Sequence, residues 1–125
     1  ENGNIKSESK ENGHSKIYYE NGNIKTMYQN INWQLENLCT HYFENGNIES
    51  EINYKKSQRN GQYTGFYDSG EELYKGEFIN NSQEGLWQMF YKNKKLKKEN
   101  NFINGDKISQ TCWDIDGNKI ECDDM

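Results

Sequence analysis

The sequence predicts an all-β protein, an elongated single-layer twisted antiparallel sheet built from tandem β-hairpins. Three observations predict it. The turn glycines Gly22, Gly46 and Gly70 recur at a step of 24 residues, with Lys94 in the equivalent place. The aromatic pairs Tyr18-Tyr19, Tyr42-Phe43, Phe66-Tyr67 and Phe90-Tyr91 keep the same step. On both sides of each turn, large apolar residues alternate with polar ones, the two-residue period of a strand. A fixed period of this length marks a repeat architecture.

The units run at about 1–17, 18–41, 42–65, 66–89, 90–111 and 112–125, five to six hairpins in one repeat domain. Glu1-Asn2-Gly3 begins a shortened first copy, its glycine 19 residues before Gly22. Residue 1 thus falls in the turn of a hairpin whose first strand is missing, which predicts a natural protein that extends upstream by at least one strand. Unit two opens with "YYENGNIK" and unit three with "YFENGNIESE". Asn-Gly is a strong hairpin signal, because a type I′ turn needs positive φ at both central residues. A two-residue turn at Asn45-Gly46 sets Phe43 opposite Ile48. The same construction pairs Tyr19 with Ile24, Tyr91 with Leu96 around Asn93-Lys94, and Trp113 with Ile120 around Asp116-Gly117. Each aromatic–aliphatic pair contributes roughly 0.2–1 kcal/mol beyond burial. In unit four Gly70 is followed by Glu71-Glu72-Leu73, so the aliphatic comes one residue late and a bulge is expected there.

Other columns continue the pattern. Cys39, Tyr63 and Trp87 share one repeat position, and His41, Gly65 and Met89 share the next on that face. Tyr54, Phe78 and Phe102 form a third column after the turn. A lone hairpin is unstable in water, so each unit must borrow burial from its neighbour, and that is the physical reason for the copying.

Composition bounds the function. Only 31% of residues are hydrophobic and the mean hydropathy is −1.27, yet 14% are aromatic and placed in register, which argues against disorder. Ala, Val and Pro are absent while Asn, Lys, Ile, Glu and Tyr abound, a bias that fits an AT-rich bacterial genome. A net charge of −5 disfavours nucleic acid and anionic lipid, both of which reward a basic surface. No apolar run approaches the ~20 residues of a membrane-spanning helix.

Unit four carries "YKGEF", Tyr74–Phe78, followed by Gly85-Leu86-Trp87. This stretch resembles the MORN repeat, and the "YYENGNIK" pattern is closer still to the MORN-repeat variant of bacterial proteins catalogued as YwqK-type antitoxins. The likeness spans nearly the whole chain. It implies a twisted sheet of successive hairpins and a non-enzymatic binding or scaffolding role, including neutralisation of a partner toxin. MORN repeats have also been linked to phospholipid head groups. Here only Lys94, Lys95, Lys97 and Lys98 cluster, on an acidic chain, which weakens that expectation.

No constellation points to catalysis, a cofactor or a metal. His14 reads as exposed, and His41 sits in a structural column. Cys39 faces the same way as His41 but lacks an orienting third group and an oxyanion site. In Asp114–Glu121 the glycine follows the first aspartate by three residues, where a calcium loop needs five and flanking helices. Cys112 and Cys122 bracket the last hairpin. A two-residue Asp116-Gly117 turn puts them on opposite faces and is favoured by the Trp113–Ile120 match, whereas a three-residue loop centred on Gly117 sets them opposite each other. A disulfide implies an oxidising compartment. Reduced thiols leave the compartment open, and an antitoxin-like role favours the cytoplasm.

A single-layer sheet leaves aromatic surface open, and such surface is what an interaction site looks like. The candidate contact residues are Tyr63, Trp87, Phe43, Tyr67 and Tyr91, with Gly22, Gly46, Gly70 and Gly117 as structural turns. The expected partner is another protein, with self-association through unpaired edge strands as a further possibility. The competing expectation is a structural spacer within a longer surface protein.

Overall fold

The computed structural model describes residues 7–8 and 11–123. Eleven strands follow in chain order: β1 (Ser7–Glu8), β2 (Gly13–Tyr18), β3 (Ile24–Ile31), β4 (Gln34–Tyr42), β5 (Ile48–Lys55), β6 (Gln58–Phe66), β7 (Glu72–Ile79), β8 (Ser82–Phe90), β9 (Leu96–Ile103), β10 (Asp106–Trp113) and β11 (Lys119–Ile120). They make one open sheet in which each strand pairs antiparallel with the next. Among the described residues there is neither a helix nor a second layer. The chain is therefore the all-β meander of hairpins that its period predicts. The turn expected at Glu1-Asn2-Gly3, and any unit before it, lie outside the described residues.

Two kinds of turn alternate, and their placement corrects the expected register. At the Asn-Gly end, Gly22 N–H donates to Tyr19 C=O (3.0 Å) and Tyr19 N–H to Asn23 C=O (2.8 Å). The same two bonds recur at Phe43–Asn47, Tyr67–Glu71, Tyr91–Lys95 and Asp114–Asn118. This is a three-residue loop whose last member is left-handed: Gly22, Gly46, Gly70 and Gly117 have φ of 92°, 94°, 107° and 96°. Lys94 adopts 73° without glycine's freedom. In three units an asparagine closes the loop from within. Asn21 Oδ1 accepts the N–H of Asn23 (2.9 Å), and Asn45 does the same for Asn47, an Asx turn that keeps Asn out of the left-handed region.

The pairs consequently move by one residue. Tyr18, Tyr42 and Phe90, rather than Tyr19, Phe43 and Tyr91, face Ile24, Ile48 and Leu96, and Trp113 faces Lys119 rather than Ile120. Unit four is regular, with Phe66 opposite Glu72 and the same register break as the other units. The type I′ turns stand at the opposite end, where φ is positive at both Asn32-Trp33, Lys56-Ser57, Asn80-Asn81 and Asn104-Gly105. The terminal hairpin is corrected too. Its loop is centred on Asp116, Cys112 pairs with Ile120, and Cys122 follows two residues on, on the same side. Cys112 and Cys122 form a disulfide with their Cα atoms 5.3 Å apart.

Turns lean on their neighbours at both ends of the sheet. Asn23 and Asn47 Nδ2 donate to the carbonyls of Glu44 and Asp68, 21 residues on (2.8 and 2.7 Å). At the other end, the N–H groups of Trp33, Ser57, Asn81 and Gly105 donate to the carbonyls of Glu11, Leu35, Arg59 and Gln83. The N–H groups of Asn32, Lys56, Asn80 and Asn104 go to the side chains of Asn12, Glu36, Asn60 and Glu84. These bonds satisfy turn N–H groups that sheet pairing leaves over. They also tie each unit to the one beside it.

Within the strands, Asn37, Gly61 and Gly85 share a repeat position and take φ of 63°, 113° and 71°. There β4, β6 and β8 carry extra residues against β3, β5 and β7. Such bulges bend the strand and deepen the local twist. The curl lets one face close on itself: Phe78, Trp87 and Phe102 form a buried cluster flanked by Tyr63 and Tyr74.

Candidate functional site

The closed face of the sheet divides into a half filled with rings and a more open half with smaller side chains, and a groove lies over each. In the filled half, Trp87 is 1% exposed. Its ring centroid lies 4.9 Å from Phe78, 5.1 Å from Tyr74, 5.6 Å from Tyr63 and 6.3 Å from Phe102. Most of these contacts are edge-on or tilted, the arrangement aromatic quadrupoles favour. The indole N–H donates to Glu77 C=O (3.1 Å). Gly76 makes the packing possible, because a Cβ there would come within 2.1 Å of the indole. The Arg59 guanidinium covers Phe78 at 4.3 Å from the ring centroid.

Trp87, which the sequence places among candidate contact residues, centres the buried ring cluster and also lines, with Tyr63, a groove of about 570 Å3. Tyr63 stands half-buried beside Trp87, its phenol pushed up by that burial. Phe43, Tyr67 and Tyr91 lie elsewhere, in the column that begins with Tyr19. The hydroxyls of Tyr19, Tyr67 and Tyr91 donate to the carbonyls of Tyr42, Phe90 and Trp113 (2.6, 2.8 and 2.8 Å), 22 or 23 residues on. They staple one unit to the next. Phe43 stands in the same column without a hydroxyl. Periodicity located the column but not its task, because a staple and an open contact follow the same 24-residue step.

The open half lies over β2 to β5. A groove of about 460 Å3 is lined there by Ile17, Thr26, Tyr28, Asn30, Trp33, Leu35, Cys39, His41 and Tyr54. Its origin is legible by repeat position. Cys39 stands where Trp87 does two units later, and Thr26 where Tyr74 does. Leu35 corresponds to Gln83 at the same two-unit step and to Arg59 one unit on. The second groove, of about 570 Å3, lies over the ring cluster of the other half and is lined by Tyr63, Tyr74, Phe78 and Trp87 among others. Trp33, 64% exposed and at φ 63°, lines the groove from the type I′ turn, where the other units have Ser57, Asn81 and Gly105.

The groove's chemistry is neutral. Cys39 Sγ lies 3.7 Å from His41 Nε2, and His41 Nδ1 is 3.1 Å from Thr26 Oγ1. Burial pushes the Cys39 thiol up to about 11, which keeps it protonated and poorly nucleophilic at neutral pH. Among the described residues, no three of His, Cys, Asp and Glu gather where they could hold a metal ion. No helix there is long and apolar enough to cross a membrane.

The opposite face is a polar row, Thr40, Glu51, Thr64, Lys75, Gln88 and Glu99 in cross-strand register. Exposed Leu38 and Leu86 interrupt its flank.

The fold and its repeated turns define a tandem hairpin repeat module. The model of the MORN repeat variant matches residues 11–30, 35–56 and 83–104, about half of the chain, and the protein belongs to that family. Each match spans one hairpin around a three-residue turn. No curated protein matches the chain.

Proposed function

We propose that this chain is a non-enzymatic protein-interaction module whose binding surface is the aromatic groove over β2 to β5. One observation carries the reading: three rings, Tyr28, Trp33 and Tyr54, surround space that the chain itself leaves empty. A concave site with aromatic walls and a few polar groups is the form binding sites take. The finer reading is antitoxin-like neutralisation of a partner protein. The Cys112–Cys122 disulfide supports work in an oxidising compartment. Phospholipid binding is disfavoured, because the chain is acidic overall and two of the four clustered lysines are engaged within the repeat, Lys95 at the Asp116 carbonyl and Lys97 over the Tyr91 ring.

The second reading is a structural spacer, and the turn-to-turn hydrogen bonds favour it, since they couple neighbours without needing a partner. Co-purification from the native organism separates the two. A stoichiometric partner that is lost on Tyr54→Ala and kept on Leu86→Ala supports the module. Recovery of the chain, or of a longer polypeptide containing it, without a partner supports the spacer.

A further inference from the structure

We propose that the groove over the ring cluster binds a carboxylate carried on an apolar body. The site is separate from the groove over β2 to β5 and stands or falls without it. Its floor is the rings themselves, and Arg59, Asn81, Ser82 and Gln83 line it as well, around a volume of about 570 Å3. Arg59 is the one charged residue of the lining, on a chain whose net charge is −5. Among the described residues it has no carboxylate partner. Its Nε donates to Asn81 Oδ1 (3.4 Å) and its Nη2 to Asn81 C=O (3.0 Å), and the guanidinium keeps further N–H groups.

The repeat does not require that cation. Leu35 and Gln83 hold the same repeat position, and their carbonyls accept a neighbouring turn N–H as the Arg59 carbonyl does. Phe102, the counterpart of Phe78, is buried to the same 8% with Gln83 in the place of Arg59. The other polar side chains of the groove are mostly donors in want of an acceptor. The Tyr63 hydroxyl has no hydrogen bond among the described residues. Tyr74 Oη accepts from Gln83 Nε2 (3.4 Å), which leaves its own O–H proton unplaced. Asn81 Oδ1 already accepts the Arg59 N–H (2.8 Å), so Asn81 offers its Nδ2. Burial raises both phenols, which keeps them protonated at neutral pH. Glu49, whose charge reaches Tyr63, lies outside the lining. A carboxylate only accepts, so it suits a wall of donors, and one guanidinium balances one negative charge. The rings take the apolar body, in a groove of small-ligand size.

The test titrates two acids into the 15N-labelled full chain, 3-phenylpropionate and acetyl-Gly-Gly-Phe with a free C-terminal carboxylate, each beside its neutral amide. The expected result is a saturable shift of amides around Arg59, Tyr63 and Ser82 with at least one acid, while amides around Cys39 stay still. The matching amide should bind about tenfold more weakly, or worse. Whichever acid binds tighter tells a free small acid from a chain terminus as the source of the carboxylate. Arg59→Gln places at this position the residue type that Gln83 supplies one unit on, and should weaken the acid about tenfold and leave the amide unchanged. Tyr63→Phe removes a hydroxyl without a partner in the chain, so it should keep the melting temperature and weaken the acid about threefold. The proposal is overturned if neither acid saturates, if an amide binds as tightly as its acid, or if the shifts map to the groove over Cys39. Unchanged acid affinity in a folded Arg59→Gln overturns it too. Should that variant fail to fold, Tyr63→Phe and the acid–amide comparison decide.

Discussion

Phe43 shows what one missing atom does in a repeat. Its neighbours in the column, Tyr19 and Tyr67, each donate a hydroxyl to a carbonyl of the next unit. Phe43→Tyr adds the equivalent donor toward Phe66 and should raise stability by about 0.5–1.5 kcal/mol in a urea melt, with Tyr67→Phe lowering it by a like amount. Gly76 is constrained by space, not by φ. Gly76→Ala drives a methyl to 2.1 Å from the indole, and overpacking of that kind costs about 1–3 kcal/mol or more. The measurement is the urea midpoint, with loss of near-ultraviolet dichroism from displaced Trp87. Cys39 sets a pH dependence. Its folded pKa is raised to about 11 from 9.0, so the thiol favours the folded state fully below pH 9 and loses that contribution as pH rises through about 11. Tyr54, Tyr63 and Tyr74 are raised by burial and act with the same sign. Stability should fall on alkalinisation, and less steeply in Cys39→Ala.

At the scale of the hairpin, the turns carry the specificity. "ENGN" reads as a hairpin signal in any one copy. Its second asparagine has a task only when a neighbouring turn stands beside it, since Asn23 and Asn47 donate to carbonyls of the next loop. Glu71 occupies the same place in the "DSGE" copy and has no N–H to offer. Its carboxylate instead accepts from Ser69 Oγ, and its pKa is lowered by that hydrogen bond. The last hairpin is held differently. β11 has two residues and no further strand pairs with it among the described residues, so the Cys112–Cys122 bond supplies the closure that a neighbour supplies elsewhere. Reduction should expose the amides of 114–120 to hydrogen exchange and leave those of β6 to β9 protected. Loss of protection across the whole sheet on reduction would contradict this.

Across the whole molecule, burial is uneven. Rings fill the closed face between β6 and β9, whereas Ser15, Thr26, Cys39 and Ser50 occupy it toward β2. In a structure held by nearest-neighbour contacts, stability follows the local interfaces. Native-state hydrogen exchange should therefore show the slowest amides in β6 to β9 and progressively faster ones toward β2 and β11. Uniform protection would mean that the sheet opens only as one unit.

The 24-residue step, the turn glycines and the paired aromatics were enough to determine an antiparallel meander of hairpins, because local periodicity and turn chemistry act within one unit. The columns Cys39–Tyr63–Trp87 and Tyr54–Phe78–Phe102 were legible for the same reason. Tertiary structure alone decided the rest. A one-residue change of loop moved every aromatic pair and brought Cys122 to the side of Cys112, because strand parity reverses with each residue. Twist and bulges, which depend on neighbouring strands, buried Trp87 and turned Tyr67 and Tyr91 into staples. The groove over β2 to β5 draws its lining from four strands and the turn between β3 and β4, and no single segment of the chain carries that fact.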